Sequence, residues 1–154
     1  MFYTLATWAG IVNCLEPILM TKEDLITVLL VDDNVTFIRI ATRLLDAHDG
    51  IAVVGAIHGG EDALAQVREL QPEVVIVDTS MPSLPGGLGF IGRLRSVLPD
   101  VWVIALTLIG TDGYRRAALR AGADDFVPKA AMGTDLLAAI QRVREVSPVV
   151  REVV

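Results

Sequence analysis

At four places in this chain an apolar run breaks off in a polar side chain. Asp32-Asp33 follows Ile26–Val31, Asp78 follows Val74–Val77, Thr107 follows Val101–Leu106, and Lys129 follows Asp125–Pro128. Carboxylates, a hydroxyl and an ammonium gathered together are the parts needed to transfer a phosphoryl group onto a carboxylate. Close carboxylates repel by roughly 4 kcal/mol per pair at an effective dielectric near 20. A site that collects three of them therefore needs positive charge. Lys129 supplies one unit, and a divalent cation is the obvious other. Oxygen ligands with few protein donors favour Mg²⁺, which keeps several waters and shares a phosphate oxygen.

On this reading Asp78 is the nucleophile and touches the metal. Asp33 ligates the metal directly, and Asp32 directly or through water. Thr107 donates to one phosphoryl oxygen and Lys129 pairs with another. Phosphorylating Asp78 replaces one charge with about two and adds acceptor oxygens, enough to draw Thr107 and its loop inward. Taken singly, each residue has a plainer reading. An Asp-Asp pair before a helix is usually a cap, a threonine after a strand is usually structural, and a loop lysine is usually solvated. Their joint occurrence, each at its own strand end, argues for chemistry.

The elements that must position these residues are legible in the hydrophobic periods. Ile26–Val31 reads as a strand, Phe37, Ile38, Ala41, Leu44 and Leu45 as one face of a helix from about 34 to 47, and Ile51–Ala56 as a second strand. Ala63, Val67 and Leu70 mark a second helix stopped by Gln71-Pro72. Val74–Val77, β-branched throughout, reads as a strand buried on both faces. A glycine-heavy loop then leads to a third helix over roughly Leu88–Val97, expected to be the least stable. After the strand Val101–Leu106 comes a helix over about Asp112–Ala121, closed by Gly122 at C′. Pro128 marks Asp125–Pro128 as an edge strand, and a fifth helix starts near Thr134 with Leu136, Leu137, Ile140 and Val143 on its buried face. Strands alternating with helices imply right-handed crossovers and a three-layer α/β sandwich, with the strand ends converging on one edge.

The chain has 154 residues, 53% of them hydrophobic, enough for one domain with a proper core. A net charge of −6 argues against a nucleic-acid or anionic-membrane surface. The single cysteine, Cys14, has no internal partner, which suits a reducing, cytoplasmic setting. The apolar stretch within Met1–Met20 lacks a signal peptide's basic start, and Asn13, Glu16 and Pro17 interrupt it short of a membrane span. It reads as a loose extension, upstream of a start at Met20; a short docked helix or a membrane contact are the other readings. The expected organisation is an extension over 1–24, one domain over 25–146 and a tail over 147–154.

From about Thr27 to Val146 the chain resembles the receiver domain of two-component response regulators. Val28-Leu29-Leu30-Val31-Asp32-Asp33-Asn34 is similar to that family's acidic-pair strand, and Val77-Asp78-Thr79-Ser80-Met81-Pro82, with Gly86, to its phosphoacceptor motif. Ala105-Leu106-Thr107 resembles its hydroxyl strand, and Ala121–Lys129 the segment with its switch aromatic and lysine. The resemblance implies a flavodoxin-like doubly wound sheet of five parallel strands in the order 2-1-3-4-5, with five helices. It implies a switch that takes a phosphoryl group from a histidine kinase phosphohistidine onto Asp78 with Mg²⁺, and that catalyses only its own phosphorylation and dephosphorylation. The Ser80 backbone carbonyl would join the metal ligands, and Phe126 would be the aromatic that turns inward with Thr107. The implied partners are a sensor histidine kinase or phosphotransfer protein, and a second copy meeting the fourth helix, fifth strand and fifth helix.

Several residues depart from the family pattern. Ala130 follows Lys129 where many receivers have proline, which is similar to regulators with a LuxR-type helix-turn-helix output; the chain is expected to be an excised or stand-alone receiver. Leu108 is bulkier than the usual residue after the threonine and is expected to narrow access to the phosphoryl group. Pro85 replaces an acidic residue, and Gly87 looks like a one-residue insertion that delays the third helix. Two other classes remain: an unphosphorylated pseudo-receiver serving as an interaction module, and a haloacid-dehalogenase-like phosphohydrolase. The latter wants Asp-x-Asp on its first strand, where this chain has Asp32-Asp33-Asn34. A Rossmann nucleotide site is disfavoured because no Gly-x-Gly-x-x-Gly follows the first strand.

Overall fold

The computed structural model describes residues 24–59, 62–81 and 87–145. The expectations for Met1–Met20, Pro82, Pro85, Gly86 and the tail lie outside them. In chain order the elements are β1 (Ile26–Val31), α1 (Val35–Asp46), β2 (Ile51–Ile57), α2 (Ala63–Leu70), β3 (Val74–Asp78), α3 (Gly87–Val97), β4 (Trp102–Thr107), α4 (Asp112–Arg120), β5 (Asp125–Pro128) and α5 (Met132–Glu145). A 3₁₀ turn over Lys129–Ala131 joins β5 to α5. The strands form one parallel sheet in the order β2-β1-β3-β4-β5, the flavodoxin-like doubly wound order, with β5 at an edge as Pro128 requires.

Alternation along the central strands divides the core in two. Leu29, Val31, Val75, Val77, Val103 and Ala105 face one way and pack under α2, α3 and α4. Val28, Leu30, Val74, Ile76, Ile104 and Leu106 face the other and pack under α1 and α5. Every residue of β3 and β4 is buried, which is why these strands read as continuous apolar runs.

Helix boundaries follow local chemistry. Asn34 caps α1 by accepting the Phe37 amide, so the aspartates before it are free of capping duty. Gln71 ends α2 in a left-handed conformation. That turn leaves Leu70, expected in the core, 40% exposed; its end lies over Gly55, where an added Cβ would meet it. Gly122, with φ +112°, closes α4.

Two helices start earlier than their sequences suggest. The third begins at Gly87, where a Cβ would collide with the Thr79 carbonyl oxygen. Only glycine allows α3 that close to the end of β3. The fifth begins at Met132 because the 3₁₀ turn runs straight into it, and Thr134 bonds back to Ala131 from inside the helix.

Candidate functional site

Strand register brings the polar residues together. Val31 pairs with Val77, so Asp32 and Asp78, each the next residue, are neighbours. Asp78 pairs with Leu106, and Thr107 with Pro128, placing Thr107 and Lys129 along the same edge. The carboxylate oxygens of Asp32, Asp33 and Asp78 lie within 4.8 Å of one another. Asp32 and Asp78 are 2% and 3% exposed, while Asp33 faces solvent.

Lys129 answers this charge directly. Its Nζ donates to Asp78 Oδ2 at 2.9 Å and stands 2.7 Å from Asp32 Oδ2. The second contact has ion-pair distance without hydrogen-bond alignment, so Asp32 Oδ2 is buried with no aligned donor. Asp32 Oδ1 accepts the Asn34 amide at 2.8 Å. Asp78 Oδ1 accepts both the amide and the hydroxyl of Ser80, at 2.9 and 2.5 Å.

The two buried carboxylates shift in opposite directions. Burial raises the pKa of Asp32, and the ammonium and the Asn34 amide only partly offset it. Burial also pushes Asp78 up, but the bonds from Ser80 and Lys129 outweigh it and the net shift is down. Burial opposes the charge on Lys129, yet its two carboxylate partners prevail and raise its pKa. Asp78 is therefore held ionised, as a nucleophile must be, beside a carboxylate still short of positive charge.

That shortfall decides whether a metal fits. One ammonium faces three carboxylates, and a buried oxygen among them lacks an aligned donor. Such an all-oxygen, partly open set suits Mg²⁺.

Thr107 is fully buried, and its Oγ1 accepts the Ile109 amide at 3.0 Å. Among the described residues its hydroxyl makes no bond to Asp78. Phe126 is partly buried, its ring 6.3 Å from that of Tyr114 and tilted by 51°. Ser80 presents its side chain and amide to Asp78, and none of its described bonds involves the carbonyl that the resemblance gave a ligand role. Leu108 is 75% exposed, so it is not packed over the carboxylates in this conformation.

Three residues at the site are given no role there by the sequence reading. Thr79 bonds the Leu106 carbonyl at 3.0 Å and accepts the Tyr114 hydroxyl at 3.1 Å, tying the tips of β3 and β4 to α4. Phe37 covers the Lys129 ammonium at 4.4 Å from its ring centroid. Its place in the apolar period of α1 marked it only as a packing residue. Tyr114 lies on the helix read from 112 to 121, where no spacing singles it out.

With this geometry in hand, comparison with known proteins is specific. Residues 28–141 match the family model of the response regulator receiver domain. The chain is 38% identical over 128 residues to response regulator GacA of Pseudomonas viridiflava, covering 80% of this chain and 59% of that protein. The chain thus spans about three-fifths of the length of that relative. The receiver domain of Thermotoga maritima CheB superposes with a TM-score of 0.72 at 27% identity, over 80% of this chain and 99% of that one. A LuxR-family regulator from Aurantimonas gives 0.72 at 25% identity, over 82% and 92%.

Proposed function

Because the chain belongs to the receiver domain family of two-component response regulators, we propose that Asp78 accepts a phosphoryl group and that this is its signal. The observation that carries the reading is the pairing of Asp78: 3% exposed, and bonded to Lys129 and Ser80 within a three-carboxylate cluster.

Asp32, Asp33, Asp78 and the Ser80 carbonyl would hold Mg²⁺, which supplies charge stabilisation for the transferring phosphoryl oxygens. Asp78 forms the new P–O bond through a carboxylate oxygen as the P–N bond to the donor imidazole breaks. Lys129 stays beside it and passes from the carboxylate to a phosphoryl oxygen as charge builds there. Thr107, whose Oγ1 now only accepts from Ile109, donates a hydrogen bond from its hydroxyl to another phosphoryl oxygen. That movement draws in the loop after β4 and frees room for Phe126 to turn. The donor is a phosphohistidine of a kinase or phosphotransfer protein in the cytoplasm, and the domain is the stretch 25–146.

The read-out face is α4, β5 and α5. A groove of about 340 Å³ runs along it and carries Asp112, Arg115, Asp125, Asp135 and Arg142. This mixture of charges supports pairing with a second copy. Among the described residues no helix is long and apolar enough to cross a membrane.

The test is chemical. Incubation with Mg²⁺ and a small phosphodonor, followed by borohydride trapping, should place an acid-labile phosphate on Asp78 and lose it in Asp78→Asn. A protein that stays unlabelled, with no response to beryllofluoride, is an interaction module and not a switch.

A further inference from the structure

Lys129 touches one group that the phosphoryl-transfer reading does not use. Its Nζ lies 4.4 Å from the centroid of the Phe37 ring, while Asp32 Oδ2 and Asp78 Oδ2 stand at 2.7 and 2.9 Å. An ammonium has three protons and no lone pair. Two carboxylates meet it on one side, and an aromatic face, the negative end of the ring quadrupole, meets it on another. The ring has little freedom to leave. Phe37 is partly buried and packs against the cluster under α1 and α5.

Its position is also fixed through short local bonds. The Phe37 amide donates to Asn34 Oδ1 at 3.0 Å, and the Asn34 amide donates to Asp32 Oδ1 at 2.8 Å. Asp32, Asn34, Phe37 and Lys129 therefore close a ring of contacts that begins and ends on one carboxylate. The helix cap that sets the start of α1 thereby also sets where the ammonium can sit.

We propose that Phe37 is a positioning residue for phosphoryl transfer, its ring face holding the Lys129 ammonium over the carboxylates and shielding it from water. The role rests on the reading that Asp78 is the phosphoacceptor. An aliphatic side chain of similar size would fill the space without attracting the cation. Lys129, a strongly hydrated point charge on a flexible stem, would then turn toward solvent. The loss falls hardest on the phosphorylated state, where the ammonium must hold a phosphoryl oxygen.

The full chain is compared as wild type, Phe37→Tyr, Phe37→Leu, and with 3,5-difluoro- or 3,4,5-trifluorophenylalanine at position 37. Fluorination drains the ring face while nearly keeping its shape, so a purely packing role would not register it. Without Mg²⁺, the ε-methylene protons of Lys129 should show a ring-current shift in NMR spectra, kept in Phe37→Tyr and lost in Phe37→Leu. With Mg²⁺, beryllofluoride affinity should fall stepwise with fluorination, by roughly three- to tenfold at the trifluoro ring, and be kept by tyrosine. A flat fluorination series in a protein that binds beryllofluoride, or no ring-current shift on Lys129, overturns the role of Phe37 alone. A wild type that ignores beryllofluoride overturns the phosphoacceptor reading, and this role with it.

Discussion

Of the clusters of carboxylate and cation on this sheet, the two near opposite ends of β4 are built on opposite principles. At the carboxyl edge, one lysine faces three aspartates, and Asp32 Oδ2 stays buried without an aligned donor. Toward the other edge, Arg95 of α3 pairs with Asp124 and donates Nε to the Gly122 carbonyl at 2.9 Å and Nη1 to Pro99 O at 3.2 Å, with Val101 O beside it. Asp124 also accepts the Val103 amide at 2.8 Å. Here charge is matched and the fork of the guanidinium meets acceptors on two segments, 99–101 and 122–124. Arginine's rigid planar donors suit a permanent staple, whereas lysine's point charge can be handed from one oxygen to another. The first cluster is left electrostatically unfinished and the second is complete, which separates a site for a ligand from a joint for folding.

The largest effect expected is at the unfinished cluster. Lys129→Met strands Asp32 and Asp78 without their cation, and breaking a buried ion pair this way costs about 3 kcal/mol. Urea melts should show that loss in metal-free buffer, with Mg²⁺ recovering part of it. Recovery as large in the wild type would mean that the lysine and the metal do not share the same charge. Next comes the staple. Arg95→Ala should cost about 2 kcal/mol, since both partners are partly exposed and less is stranded. Beryllofluoride affinity should be unchanged, and a drop there would join the two clusters energetically.

Much of this was legible in the sequence because the sheet is parallel. Buried β3 and β4 must be apolar throughout, so the polar residues that end them stand out, and in-register pairing then brings the ends together. What escaped was contact between elements. Phe37 occupies a core-facing position of α1 by period, and only the fold reveals that Lys129 reaches its ring from the turn after β5. Leu70 fits the apolar period of α2, but the left-handed turn at Gln71 leaves it half out of the core. Tyr114 reaches Thr79 across 35 residues of sequence, a distance no local pattern carries.

A smaller effect of opposite sign separates the two buried aspartates of the first cluster. Burial makes the charge on Asp32 unfavourable, so the folded state holds its proton more tightly than the unfolded chain does. That penalty is present at neutral pH and is relieved as pH falls through the folded pKa. Asp32→Asn should therefore stabilise the metal-free protein at pH 7 by about 1 kcal/mol, the usual return for neutralising a strained functional site. It should also weaken the response to Mg²⁺. Asp78, shifted down, contributes the other way: its stabilisation is present above its unfolded pKa and is lost as pH falls through the folded value. Asp78→Asn should thus bring no such gain, and equal melting points for the two variants would show that the asymmetry is absent.

The smallest effect concerns Leu108. Its bulk beside Thr107 suggests a narrowed entrance, yet its side chain is 75% exposed, which leaves the carboxylates open in this conformation. Any obstruction must come when Thr107 moves inward and carries the next residue with it. Leu108→Ala should then leave metal affinity untouched, because the pocket is open before phosphorylation. Decay of the phosphorylated form should quicken, because attacking water approaches only afterwards. A gain of about threefold corresponds to less than 1 kcal/mol, within what one leucine's shielding supplies. Unchanged decay would mean that the loop closes without Leu108 over the phosphoryl group. A changed Mg²⁺ affinity would place the obstruction in the resting state, against its exposure.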